Sequence, residues 1–202
     1  MADEVRVRRK KKEEKLNWKK STVLYMHDLL FMLVAIMVLF LLVFRVIVVS
    51  GSSMYNTLID GDYLLLISNT FYQEPQYGDI IVASKEGFDN GAPIIKRVIA
   101  TEGQTVDIDF DAGIVYVDGQ ALQENYTYTP TNISEGMEFP LTVEEDCIFV
   151  MGDNRNKSRD SRSPDIGQID RREILGKAIY LFLPGTDEGH VGPDYERMGA
   201  IK

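Results

Sequence analysis

A mostly β domain behind a single N-terminal transmembrane helix is the fold class that this sequence predicts. The β part reads as antiparallel and barrel-like, with a sandwich as the alternative. Three observations predict it. A sixteen-residue run without a polar side chain, residues 29–44, follows a basic tail. After Phe44 the chain breaks into short apolar runs separated by Gly-marked turns. Only residues 171–175 suggest a helix outside the apolar run, and a short one.

The basic tail comes first. The first 26 residues hold nine Lys or Arg against four acids, a balance of +5, while the whole chain carries −9. Residues 27–202 therefore carry −14, and the asymmetry suggests two environments. Residues 1–21 read as a solvated, disordered cytoplasmic tail. Residues 22–44 read as the span. Their 23 residues give about 34 Å of helix, enough for a bilayer core of about 30 Å. Tyr25 suits an interface, and Arg45 closes the outer end and can snorkel. A buried soluble helix is the alternative for so apolar a run. A cleaved signal peptide has a shorter apolar region, of about 7–15 residues, so the reading is an uncleaved signal anchor. The basic tail puts the N-terminus in the cytoplasm and residues 45–202 outside, at a cell membrane crossed once.

The runs of the outer domain follow in order: RVIVV (45–49), YLLLIS (63–68), DIIVAS (79–84) and PIIKRVIA (93–100). TVDIDF (105–110), IVYVD (114–118) and QAL (120–122) read as a meander, CIFVMG (147–152) and KAIYLFL (177–183) as buried strands. Residues 105–146 read as a peripheral meander and acidic loop. The tail after Pro184 reads as disordered. Cys147 is the one cysteine, which excludes an intramolecular disulfide and any cysteine-based metal cluster.

Small residues in VVSGSSMYNTL (48–58) suit either a scissile sequence or a serine nucleophile. The two histidines, His27 and His190, lie at the predicted membrane boundary and in a Gly-rich tail. Neither suits a serine near position 52, so the usual Ser-His-Asp arrangement is disfavoured and a lysine becomes the candidate base. A lysine base must be neutral, and burial is what lowers a lysine pKa. Lys96 sits among Ile94, Ile95, Val98 and Ile99. Pattern alone nevertheless favours an outward-facing lysine in an alternating strand. Lys85, Lys157, Lys177 and Lys202 have more polar or terminal settings. MGDNRNKSRDSR (151–162) fails as a calcium loop, because Arg155 and Ser158 stand where an oxygen ligand and a glycine are required. Its acids and arginines can pair into a network.

Together, the basic tail and anchor, SGSSMYNTL, GDYLLL, YGDIIV, IKRVIATEGQ and GDNRNKSRDSR resemble the type I signal peptidases over nearly the whole chain. The single anchor and compact size look like the Gram-positive form. The resemblance implies a β catalytic domain of the signal-peptidase type over residues 45–202. It implies Ser53 as nucleophile and Lys96 as general base. Ser158 would orient the lysine, with Asp160, Arg162 and Asp153 bracing the site. The oxyanion would meet the Ser53 N–H; some members add a serine hydroxyl where this chain has Gly51. Asn56 stands where the family usually has proline. Implied substrates are signal peptides of exported preproteins, cut after small residues of the Ala-x-Ala type. Val49, Met54, Leu58 and Ile95 are the expected pocket walls. The implied partners are those preproteins, the lipid bilayer and the protein-export machinery, with no nucleic acid, metal or other cofactor. Rival readings are a self-cleaving Ser/Lys regulator of the SOS-repressor type, a specialised peptidase serving pilus assembly, and an inactive anchored β-domain that only binds. The likeness of residues 50–52 to a cut site also raises self-cleavage near Ser52.

Overall fold

The computed structural model describes residues 2–85, 87–186 and 192–201; His190 lies outside them. The chain divides into two compact units, residues 1–42 and 43–202.

The first unit is helix α1, which ends one residue into the second, at Val43 (Ala2–Val43). Residues 2–43 contain no glycine or proline and are rich in Lys, Arg, Glu, Leu and Met, all strong helix formers. The basic tail, expected to be disordered, is therefore helical and continuous with the apolar run. The segment Trp18–Val43 is long and apolar enough to cross a membrane. Leu30, Phe31, Leu39 and Leu41 are each more than half exposed. Apolar side chains displayed in this way suit a membrane anchor.

The second unit holds two antiparallel sheets. The larger is built from β1 (Phe44–Val48), β2 (Tyr63–Ser68), β3 (Ile80–Ser84), β4 (Pro93–Thr101), β9 (Cys147–Met151), β10 (Ile169–Asp170), β11 (Ile174–Leu183) and β12 (Gly199–Ala200). Its order is β1-β2-β11-β3-β4-β9-β10, with β12 beside β11. The smaller contains β5 (Thr105–Asp109), β6 (Ile114–Val117), β7 (Gln120–Ala121) and β8 (Leu141–Thr142), in the order β7-β6-β5-β8. Neither sheet closes, so the expected barrel is not formed. The physical reason is that the sheets cover one another. Ile99 of β4 and Phe149 and Met151 of β9 share a buried cluster with Val106 and Ile108 of β5 and Val115 and Val117 of β6.

Alternation fills both faces of the large sheet. On β3, Ile80 and Val82 join one cluster, and Ile81 and Ala83 another. β4 is likewise covered on both sides: Ile95, Val98 and Ile99 each belong to a different buried cluster. Residues 95–100 are consequently all buried, charged ones included.

Three further expectations change. Residues 171–175 form one 3-10 turn (Arg171–Glu173), closed by a capping box between Asp170 and Glu173, and then enter β11. The short strands β8, β10 and β12, of two residues each, carry too little pattern to be read from sequence. Residues 192–201, expected to be disordered, return to the sheet. Arg197 donates to both oxygens of the fully buried Asp62, at 2.9 and 2.7 Å. Asp62 in turn accepts the Ile59 N–H and the Gly185 N–H, each at 2.8 Å. A buried carboxylate with these partners holds the chain just downstream of VVSGSSMYNTL.

Phe149, fully buried, meets Phe139 at 5.9 Å between ring centroids, at the junction of the two sheets. Phe149→Ala should lower unfolding stability by about 3–5 kcal/mol, read as a fall in the urea midpoint of the detergent-solubilised protein.

Candidate active site

The segment after β1 turns sharply. Gly51 has φ +87°, in the left-handed region, and its N–H donates to Asp60 Oδ1 at 2.7 Å. A side chain at position 51 meets no atom within 4 Å, so the backbone rather than space calls for glycine. One turn of chain then follows, with Tyr55 N–H on Ser52 O at 3.1 Å and Leu58 N–H on Met54 O at 2.8 Å. Met54 and Leu58 sink into the core at 1% exposure, while Ser52 is exposed and Ser53 half-buried.

β4 brings Lys96 to this turn. Its Nζ lies 2.9 Å from Ser53 Oγ and donates to Ile95 O at 3.0 Å. The lysine is 4% exposed. Burial pulls its pKa down from 10.5 to about 8, against the opposing pull of the Asp160, Glu135 and Asp153 carboxylates. An amine of this kind is a base available near neutral pH, already in contact with a hydroxyl.

Residues 151–162 form the third side. Gly152 passes so close to the turn that an added Cβ would stand 2.4 Å from Ser53 O and 2.2 Å from Ser158 Oγ. Its N–H donates to Asp160 Oδ2 at 3.0 Å. Asn154 clamps the serines from the same loop. Its N–H donates to Ser53 O and its Nδ2 to Ser52 O, both at 3.0 Å. Asp160 and Arg162, both fully buried, pair at 2.8 Å through Arg162 Nε and 2.9 Å through Nη2. Asp153 is held by Arg97, whose Nε and Nη2 donate at 2.9 and 2.7 Å, and by the Thr57 hydroxyl at 2.5 Å.

The acidic loop, expected at the periphery, packs over these arginines. Glu124 pairs with Arg155, with one contact at 2.8 Å, and the Tyr126 ring lies 4.0 Å from the Arg97 guanidinium. Tyr128 N–H donates to Asp153 O at 2.9 Å. Arg155 donates to Thr131 Oγ1 at 2.8 Å and Arg162 to Ile133 O at 3.0 Å. Glu135 lies 3.6 Å from Arg162, and burial together with Asp160 raises its carboxyl pKa.

Ser53, Lys96, Asp153, Asp160 and Arg162 thus meet in one place. Val49, Met54, Leu58 and Ile95 also converge, in one buried cluster where none exceeds 7% exposure. They make a packed floor more than open walls. Ser158 differs from expectation. Its Oγ is buried without a hydrogen-bond partner among the described residues, and Lys96 is held by Ile95 O instead. The close contact of Ser158 with Gly152 is steric. Sequence reading missed Asn154, Arg97, Glu124 and Tyr126. The adjacency of Arg97 to Lys96 and of Asn154 to Asp153 was the available signal. No group of three or more metal-binding side chains occurs among the described residues.

Comparison with known proteins matches residues 22–183 to the family described as signal peptidase, peptidase S26. A probable signal peptidase I-1 of Synechocystis sp. is 39% identical over 151 residues, 71% of this chain and 74% of that protein. A signal peptidase I of Bacillus licheniformis is 30% identical over 180 residues, 85% of this chain and 94% of that protein. The crystal structure of a signal peptidase I from Enterococcus faecalis V583 has a TM-score of 0.42 and 30% identity, covering 52% of this chain and 96% of that one.

Two outcomes test the site physically. The Lys96 amine should titrate near pH 8 by NMR of labelled lysine, and Asp160→Asn should move it lower still, since that carboxylate raises it. Glu124→Gln leaves Arg155, itself 1% exposed, short of its counter-charge; stability should fall by about 3 kcal/mol in urea unfolding.

Proposed function

The chain belongs to the signal peptidase family, peptidase S26, as a serine peptidase that removes signal peptides, and we propose that Ser53 is its nucleophile and Lys96 its general base. The observation that carries this reading is the 2.9 Å contact between Lys96 Nζ and Ser53 Oγ in a site that holds the amine near pKa 8. At pH 7 roughly a tenth of such an amine is neutral, against fewer than one in a thousand at an ordinary lysine.

Neutral Lys96 takes the Ser53 proton as Oγ attacks the scissile carbonyl. The oxyanion forms against the Ser53 N–H, which makes no hydrogen bond among the described residues. As the tetrahedral species collapses, Lys96 passes its proton to the departing amine. Water then attacks the acyl-enzyme, gives a proton to Lys96, and Ser53 recovers its hydroxyl. Losing one oxyanion donor typically costs about 2.7–4 kcal/mol of transition-state stabilisation, so the orientation of the Ser53 N–H matters.

Asp160 and Arg162 brace the loop that carries Gly152, and Asp153 fixes the Thr57 side of the turn. Ser158 supports the same loop through its contact with Gly152. Val49, Met54, Leu58 and Ile95 floor the site on the signal-peptide side. Packed apolar side chains leave room for Ala-sized residues and reject bulk, which gives the Ala-x-Ala preference. α1 anchors the enzyme in the bilayer with the basic tail in the cytoplasm and residues 45–202 outside. Access to preproteins as they leave the export machinery follows from that topology.

Ser53→Ala and Lys96→Ala should each lower preprotein processing in detergent by about 10³-fold or more, with Ser52→Ala mild. Activity retained in either of the first two overturns the mechanism. In the unsubstituted enzyme kcat/KM should rise with pH through about 8, as Lys96 loses its proton. A profile flat across that range rules out the lysine base.

A further inference from the structure

We propose that the cleft beside Ser53, bounded by Ser52, Tyr55, Asp60, Tyr128, Asn154 and Lys157, binds the first residues of the chain released by the cut. The occupant is an extended peptide whose leading amine is the leaving group. The inference rests on the cleavage chemistry above and adds the substrate's other half.

Position is the first support. The cleft encloses about 630 Å³, within the range of sites that hold a small ligand or a short peptide. Its wall reaches the residue next to the nucleophile: Ser52 lines it, and so does Asn154, which grips both Ser52 O and Ser53 O at 3.0 Å. Division of labour is the second. None of Val49, Met54, Leu58 and Ile95 lines the cleft; all four are packed in the core. A peptide crossing Ser53 has two sides. One lies over that apolar floor, and the open cleft on the Ser52 side is left for the other.

Wall chemistry is the third. Tyr55 and Tyr128 meet edge to face, centroids 4.8 Å apart and planes 84° apart. Rigid aromatic faces grip a chain of almost any sequence at little entropic cost. Asp60 and Lys157, both exposed, add one charge of each sign. Asp60 is partly engaged, since Oδ1 accepts the Gly51 N–H. That bond fixes the Asp60 carboxylate against the turn without removing its charge, whereas the Lys157 amine makes no hydrogen bond or ion pair among the described residues and can follow the leaving chain, favouring acidic residues just after the cut.

The test uses the full-length enzyme in detergent and three substrates with one signal segment. Their leaving groups are aminomethylcoumarin, a short acidic peptide and a short basic peptide. Wild type should cleave both peptides with higher kcat/KM than the coumarylamide. Tyr128→Ala should shrink that advantage by about tenfold. Lys157→Glu, an exposed change that leaves folding intact, should move the acidic-to-basic ratio by about fivefold toward basic. Ratios equal to wild type in both variants, or a wild type indifferent to the leaving chain, overturn the subsite. Failure of wild type to cleave any of the three overturns the underlying function and the subsite with it.

Discussion

A lysine amine kept out of water beside a serine hydroxyl is the constraint on which the rest of the molecule depends. Burial lowers the pKa of Lys96, and nearby carboxylates raise it. The three carboxylates concerned are all tied to arginines: Asp160 and Glu135 to Arg162, Asp153 to Arg97. An unpaired carboxylate in this interior would favour the protonated lysine, and pairing each one with a guanidinium weakens that pull. The same pairing accounts for two of the largest fully buried side chains, Arg97 and Arg162; the third arginine among them, Arg155, pairs with Glu124. Covering β4 on both faces is the other half of the requirement. The large sheet and the small one wrapped against it supply that cover.

Beyond Asp153 and Asp160, the three buried arginines need further counter-charge and acceptors, and the acidic loop supplies them. Glu124, Thr131, the Ile133 carbonyl and Glu135 all face guanidinium groups, and the Tyr126 ring lies against Arg97. Breaking a buried pair from one side is costly because it strands the partner. The segment that read as peripheral is thus the electrostatic complement of residues 151–162.

The strands were legible because alternation and turn glycines are local signals. Lys96 was half legible. PIIKRVIA carries apolar residues at both parities, Ile94 and Val98 on one and Ile95 and Ile99 on the other, a sign of cover on both faces that the reading as an alternating strand passed over. What covered it depended on contacts dozens of residues away. The same holds for the misread parts. Arg197 finds Asp62 across 135 positions of chain and Glu124 finds Arg155 across 31, and composition cannot report either. Open or closed sheets differ only in whether edge strands pair, and β1 and β10 carry no sequence mark of which they do. Ser158 was matched by position to a hydrogen bond that its side chain does not make.

Gly51 raised the question of how an oxyanion is held without a hydroxyl two residues before Ser53. Backbone geometry offers an answer. The Ser52–Ser53 peptide is trans, so its carbonyl and its N–H point in opposite directions. Ser52 O accepts from Asn154 Nδ2 at 3.0 Å and from Tyr55 N–H at 3.1 Å. Fixing the carbonyl end of a planar unit fixes the N–H end as well. Asn154 can reach that carbonyl because Gly152 has no side chain to hold the loop away. The donor proposed for the oxyanion is therefore aimed from behind, by a residue that never meets the substrate's carbonyl. Preorganised donors are effective because they need no reorganisation when charge develops. In this chain the glycine, the asparagine and the buried pair Asp160–Arg162 that braces their loop give one backbone N–H that property.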